Sequence, residues 1–351
     1  MRKDVKYFII INLPIVFLYL FTFVFYATNK GDLIRIGYII DKGDYRSIFK
    51  KELDRKILFT KVSSINLKTP KKYTVLTIGD SYSEQFGFGY KNYLAQKPTN
   101  SILHIDRFLS GNPIETAYGI LNGDFLDNIK VDYIILQSGE RKIVLRAKNI
   151  KKTKILSLNM LKNRIKEHGD SLKVFKSKDE DESIGNRMIK FPFQNIRYLL
   201  DDNAYDSDTY RVKTKENLFS VNTNNLLFLS TDLSIVKVNN DLKASALLND
   251  VLNDLSKKLS KRGIKLIVLP CPDKFDFYYD YIIDNKKYPR PLFFENFDKL
   301  PKTYLYINTK QILKEQMKYQ KDIYFYDDTH WSPWASKIIA NELERVIRKK
   351  Q

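Results

Sequence analysis

Three residue types at two distant places in this chain could carry out nucleophilic acyl transfer. Ser81 sits in Gly79-Asp80-Ser81-Tyr82-Ser83, directly after the apolar run Tyr73–Ile78. His330 sits in Asp327-Asp328-Thr329-His330-Trp331, just ahead of Pro333. A serine hydroxyl is a poor nucleophile until an imidazole takes its proton and a carboxylate orients that imidazole. The chain holds 3 histidines (His104, His168 and His330), so few residues can serve as the base. Asp328 could orient His330 by Asp-x-His spacing and Asp327 by Asp-x-x-His spacing, and the spacing alone leaves both open. The plain alternative for each motif is a helix cap: Asp80-Ser81 before one helix, His330 with a packed Trp331 before another. Taken together, each motif supplies what the other lacks.

These residues need a rigid frame. Tyr73–Ile78, Val131–Gln137, Ile264–Leu269 and Tyr304–Ile307 read as buried strands, bounded by Lys71-Lys72 and Gly79, by Ser138-Gly139 and by Pro270. Between them, Ser245–Arg262 reads as a helix with Leu248, Leu252, Leu255 and Leu259 on one face, Ser245 at its start and Gly263 at its end. Thr309 onward and Pro333–Arg348 read as two more helices, the last with proline in its first turn. Apolar strands alternating with helices predict an α/β fold, a central parallel sheet with helices on both faces. In such folds the ligand lies beyond the carboxyl ends of the strands, where Ser81 falls. Residues 30–70 read as a stalk or joining segment and 71–351 as the catalytic domain. That domain carries a polar insertion at about 150–215, including the solvated run KSKDEDESIGNR. Phe219–Ile235 reads as a hairpin or an added strand pair.

The chain has 351 residues, 43% of them hydrophobic, ample for a core and inconsistent with global disorder. Its single cysteine, Cys271, excludes an intramolecular disulfide and reads as a small core residue. There is no cysteine cluster or histidine pair with metal-ligand spacing, so no metal or cofactor is expected. The net charge of +19 favours anionic partners, but the lysines are scattered and no nucleic-acid-binding motif occurs. Tyr7–Asn29 carries no charged residue and as a helix would extend about 35 Å. It reads as an uncleaved membrane anchor over residues 1–29, with no A-x-A cleavage site after it. Arg2, Lys3 and Lys6 before it, against Lys30, Arg35 and Lys42 after it, give a slight vote for an N-terminus on the inner side.

The combined motifs resemble SGNH (GDSL-type) hydrolases and, within that class, polysaccharide acetyltransferases of the alginate O-acetyltransferase type. Gly79-Asp80-Ser81-Tyr82-Ser83 is similar to that group's nucleophile segment and Asp328-Thr329-His330-Trp331 matches its Asp-Thr-His-Trp motif. Ser138-Gly139-Glu140-Arg141 and Pro270-Cys271-Pro272-Asp273-Lys274 resemble two of its strand-ending segments. The resemblance implies a flavodoxin-like three-layer fold and a Ser81–His330–Asp328 triad. It further implies acetyl transfer to a cell-surface polysaccharide outside the cytoplasmic membrane, with a membrane-bound O-acyltransferase as donor partner. Two departures stand out. The serine half comes first here, as in ordinary SGNH enzymes and in the membrane-anchored D-alanyl-transfer protein of teichoic acid modification. The usual Gly-x-Asn-Asp block is also missing. Gly111, Gln137, Ser138, Gly139, Arg141 and Lys274 are candidates for the oxyanion or substrate contacts that block would supply. For Arg141 and Lys274, pairing with Glu140 or Asp273 is the structural alternative. Rival functions are a carbohydrate esterase using the same triad and a non-catalytic polysaccharide-binding or assembly protein.

Overall fold

The computed structural model describes residues 3–26, 32–33, 38–39, 45–66, 71–175, 191–221 and 224–348. The chain opens with helix α1 (Lys3–Val24). The sheet and its helices then follow in the order β1 (Thr60–Lys61), β2 (Lys71–Ile78), α2 (Tyr90–Ala95), β3 (Ile102–Ile105), α3 (Pro113–Asn122), β4 (Ile129–Gly139) and α4 (Glu140–Lys148). After further elements come α5 (Leu242–Ser260), β5 (Lys265–Cys271), α6 (Lys274–Tyr278), β6 (Leu305–Tyr306), α7 (Thr309–Gln316) and α8 (Pro333–Arg348).

The membrane anchor expected from Tyr7–Asn29, whose last three residues lie outside the described ones, is not found among the described residues. Among the described residues, no helix is long and apolar enough to cross a membrane. The physical reason lies at both ends of α1. It begins with Lys3, Asp4 and Lys6, and it ends at Val24, because Phe25–Tyr26 leave the helix to pair antiparallel with Tyr38–Ile39. The uncharged helical part, Tyr7–Val24, is shorter than the Tyr7–Asn29 run read from the sequence. Asn12 and Pro14 lie inside it. Four expectations are corrected accordingly: the transmembrane helix ahead of the fold, the membrane-anchored form of the function, the membrane as a partner through residues 7–29, and the single-pass placement with an extracytoplasmic domain.

The sheet runs β6-β5-β4-β2-β3-β1, and every neighbouring pair is parallel. Two-residue periodicity divides its side chains between two cores. Val75, Tyr133, Ile135, Ile267 and Leu269 face one side. Leu76, Ile78, Ile134, Leu136, Leu266 and Val268 face the other. Helices α2, α7 and α8 cover the first face; α3, α4 and α5 cover the second. Leu248, Leu252, Leu255 and Leu259 of α5 are all buried there, as their spacing predicts, each worth about 1.5–3 kcal/mol. The helix starts earlier than the sequence suggests. Asp241 caps it by accepting from Lys243 N (2.8 Å), and Ser245 is buried inside it.

From β2 the chain passes to β3 on one side, then crosses back to β4 on the other. This is the flavodoxin-like arrangement, and its switch point is the crevice between the ends of β2 and β4. Strands β1 and β3 escaped the sequence reading because each is short and β3 carries His104 in its middle. Residues read as a joining segment pack on the domain: Phe49 and Val62 are buried and Thr60–Lys61 extend the sheet. In the insertion, Leu158–Phe175 and Phe191–Arg197 are helical. Thr209–Lys213 pairs antiparallel with Asn225–Leu229, so only part of the Phe219–Ile235 run is strand. The run KSKDEDESIGNR lies outside the described residues.

Candidate active site

Ser81 opens a single 3₁₀ turn, Ser81–Ser83, at the carboxyl end of β2. Gly79 makes this turn possible, because a Cβ there would collide with Ser83 Oγ and Gln137 Oε1. Asp80 is buried, and four groups converge on its carboxylate. They are Arg146 Nη1 (2.6 Å), Gly139 N (2.9 Å), Gln137 Nε2 (2.9 Å) and Tyr82 N (3.3 Å). Burial pushes the Asp80 carboxyl up, but the Arg146 charge and these hydrogen bonds bring it below its ordinary value. Gln137 Oε1 accepts from Asp80 N (3.0 Å) and Ser83 Oγ (2.9 Å). Lys91, fully buried, donates to the Ser83 carbonyl from behind, and burial pushes it down to about 7. The Ser81 turn is therefore bolted to the end of β4. Ser81 itself remains half-buried at the first position of the turn.

His330 lies on the loop between the isolated bridge residues Tyr324 and Trp331. Its Nδ1 meets Asp328 Oδ1 at 2.5 Å, and its backbone N–H donates to the same oxygen at 3.0 Å. Its ring packs against Tyr82, the residue after Ser81, with centroids 4.8 Å apart. Its Nε2 is buried without a hydrogen-bond partner. Two bridges hold the loop to the Ser81 turn. Tyr82 Oη donates to Thr329 O (2.9 Å), while Gln85 exchanges hydrogen bonds with the Trp331 indole (2.7 Å) and carbonyl (2.8 Å). Burial opposes charge on His330, but Asp328, and Asp32 beyond it, raise its pKa above the ordinary value. Burial also raises Asp328, yet His330 and Arg46 bring it down to about 2.

Geometry separates the two aspartates that spacing left open. Asp328 contacts His330, whereas Asp327 takes a two-pronged hydrogen bond from Arg46, with Nε and Nη2 each at 2.9 Å. The expected oxyanion and substrate residues divide less evenly. Gln137 is spent on Asp80, Ser83 and the Cys271 thiol (3.3 Å). The Ser138 hydroxyl accepts from Arg146 (2.5 Å), and Gly139 N–H is spent on Asp80. Gly111 has φ +59°, where a side chain would be strained, but its N–H donates to Arg107 O (3.2 Å). Gln137, Ser138 and Gly139 brace the site in this conformation, while the Gly111 bond closes the short helix Arg107–Ser110. Arg141 is paired with Asp232 (3.1 Å) and Asp273 (3.2 Å) and not with Glu140; Asp232 was not anticipated. Burial opposes the Arg141 charge, which the two carboxylates more than restore. Lys274 neither pairs with Asp273 nor faces solvent. Its buried ammonium donates to the carbonyls of Phe325 (2.7 Å), Tyr326 (2.7 Å) and Asp328 (3.2 Å), and burial pushes it down to about 7.

Sequence reasoning missed Arg146, Arg46, Asp32, Lys91 and Asp232. Only Arg146 left a trace: a buried Asp80 needs a cation, and Arg146 lies on the helix that leaves the adjacent strand. Cys271 is buried as expected.

Over residues 224–351 the chain matches the family model of the SGNH hydrolase-like domain, acetyltransferase AlgX. The resemblance drawn from the motifs is thus supported by a whole-segment match. The AlgX-type segment contains Lys274, Asp327, Asp328 and His330, while Ser81 and the end of β4 lie ahead of it. It supports an SGNH-hydrolase type of catalytic activity in general. No curated protein and no solved structure matched the chain.

Proposed function

We propose that the protein is an SGNH-type O-acyltransferase that passes an acetyl group through Ser81 to a hydroxyl of a polysaccharide. The observation that carries this reading is His330. One ring nitrogen is held by Asp328 and the other is buried and unpartnered beside the Ser81 turn. A buried polar atom without a partner is costly, so its retention points to a proton that it handles in the reacting state. The similarity of residues 224–351 to an acetyltransferase domain supports the same chemistry.

In this mechanism Ser81 Oγ gives its proton to His330 Nε2 and attacks the acetyl carbonyl. The resulting oxyanion lies at the Ser81 N–H, with Asp328 stabilising the imidazolium. Collapse breaks the bond to the donor's leaving group, which takes the proton from His330. A sugar hydroxyl then gives its proton to His330 and attacks acetyl-Ser81, and Ser81 leaves with that proton. Arg141, held rigid by Asp232 and Asp273, is the candidate for orienting the polysaccharide near the site. The test is incubation of the full chain with 4-nitrophenyl acetate and a panel of oligosaccharides, read by intact mass. Acetylated sugar that disappears in Ser81→Ala supports the transferase. Acetate release with no sugar product makes the protein an esterase. Neither an adduct nor release makes the site non-catalytic.

A further inference from the structure

The acid–base loop is held by a part of the chain far from it in sequence. Arg46 follows Tyr45 in a short 3₁₀ turn, Tyr45–Phe49. Its guanidinium spans two carboxylates: Asp327 through Nε and Nη2, and Asp328 Oδ2 through Nη2 at 3.2 Å. The oxygens of Asp328 are thereby divided, Oδ1 to His330 and Oδ2 to Arg46. Asp32 approaches from the other side. Its Oδ1 accepts from Thr329 N (2.7 Å), and its Oδ2 accepts from the Thr329 hydroxyl (2.6 Å) and lies 4.0 Å from His330 Nδ1. Leu33 N donates to Asp327 O (3.2 Å), and Tyr45 Oη links Asp322 (2.9 Å) with Tyr326 N (3.1 Å). Arg46 also packs over the Phe325 ring at 4.5 Å.

We infer that Arg46 and Asp32, supplied by the segment ahead of the sheet domain, are positioning residues that set the orientation and proton affinity of the Asp328–His330 pair. A carboxylate with one oxygen free can rotate about its bond to Cβ; Arg46 removes that freedom and keeps the group ionised. The charges act on His330 with opposite signs. Arg46 is a cation behind Asp328 and disfavours the imidazolium, while Asp32 is an anion beside Nδ1 and favours it. The other groups facing His330 are Asp328 on its own loop, Arg141 from α4 and the Tyr82 ring. Asp327 and Lys274 lie one layer back. Of these, Asp327 and Asp328 are the two that Arg46 itself grips.

The inference adds residues to the proposed acyl-transfer site, and its decisive readout does not depend on that activity. The His330 ring-proton resonance, assigned by its loss in His330→Gln, would be titrated in the full-length protein, in Arg46→Gln and in Asp32→Asn. The expected result is a midpoint that rises in Arg46→Gln and falls in Asp32→Asn. Shifts of the same sign, or no shift in either variant, overturn the inference. If Arg46→Gln fails to fold, Arg46→Lys keeps the charge and gives up the fork. Its midpoint should then stay near that of the parent while Asp32→Asn still falls; a parent-like Asp32→Asn midpoint overturns the inference. With 4-nitrophenyl acetate, kcat should fall about tenfold in Arg46→Lys at unchanged KM, as expected when only alignment is lost. Absence of any turnover in the parent chain would count against acyl transfer and leave the titration result standing.

Discussion

The two halves of the candidate site are supported in opposite ways. The Ser81 turn is braced by residues close to it in the chain: Asp80, Ser83, Tyr90 and Lys91 on its own side, with Gln137, Gly139 and Arg146 from the next strand–helix unit. The Asp328–His330 loop is braced mainly from remote places, by Asp32, Tyr45 and Arg46 near the start of the chain, with Lys274 at the start of α6 no farther from it in the chain than Gln137 and Arg146 are from the Ser81 turn. A nucleophile needs one fixed backbone turn, which a strand end can supply locally. An acid–base loop carries no regular structure of its own, so its carbonyls and carboxylates must find partners elsewhere. The family match follows the same division, covering the Asp328–His330 half and stopping short of Ser81.

The contrast can be tested from its strongest consequence downward. Ser81→Ala and His330→Gln should each cost about 10⁴-fold or more in acetyl transfer with the fold intact, measured by kcat/KM and circular dichroism. Comparable activity in either variant would separate the two halves functionally. Asp328→Asn should cost about 10³–10⁴-fold, because an amide cannot hold the imidazole in the right tautomer. Asp327→Asn should cost about tenfold or less; the reverse ranking would move the orienting role to the residue that Arg46 grips. Arg146→Met leaves Asp80 buried without its cation and should lower stability by about 3–5 kcal/mol in urea unfolding.

Two smaller effects concern protons. His330 must be neutral to act as base, and its pKa is raised, so the acidic limb of the kcat/KM profile should lie above the ordinary imidazole value of 6.5. Lys91 and Lys274 are pushed down to about 7 in the folded chain, whereas in the unfolded chain each stays protonated until pH about 10.4. The unfolded state then binds more protons across that interval, so stability should rise with pH between the two values. Lys274→Met and Lys91→Met should each flatten that slope, measured by denaturant unfolding at several pH values. Equal flattening would mean that the two halves share one mode of internal bracing despite their different origins.

Much of this was legible in the sequence, and the limits have physical causes. Strands β2, β4 and β5 and the apolar face of α5 could be read because burial on two faces leaves continuous apolar runs, and burial on one leaves a helical repeat. Ser81, Asp328 and His330 could be singled out because the chemistry demands those residue types together. Arg46 and Asp32 could not be found, since a pairing across 281 or 297 positions leaves no periodic trace. Lys274 was singled out as a substrate-contact candidate, with pairing to Glu140 or Asp273 as the alternative. The three carbonyls its ammonium serves lie more than fifty positions away, where no local pattern points to them. The Tyr7–Asn29 run misled because hydropathy alone does not mark where a helix ends.

Both margins of the six-stranded sheet are only two residues long, Thr60–Lys61 on one side and Leu305–Tyr306 on the other. A sheet with full-length margins offers a row of open amides and carbonyls on which a stray strand can dock, the first step toward fibrils. Here such a strand would find one or two rungs, and at one margin a lysine beside them. The chain can therefore bury long, strongly apolar central strands without inviting its copies to stack, a protection that lengthening Thr60–Lys61 with apolar β-branched residues would remove.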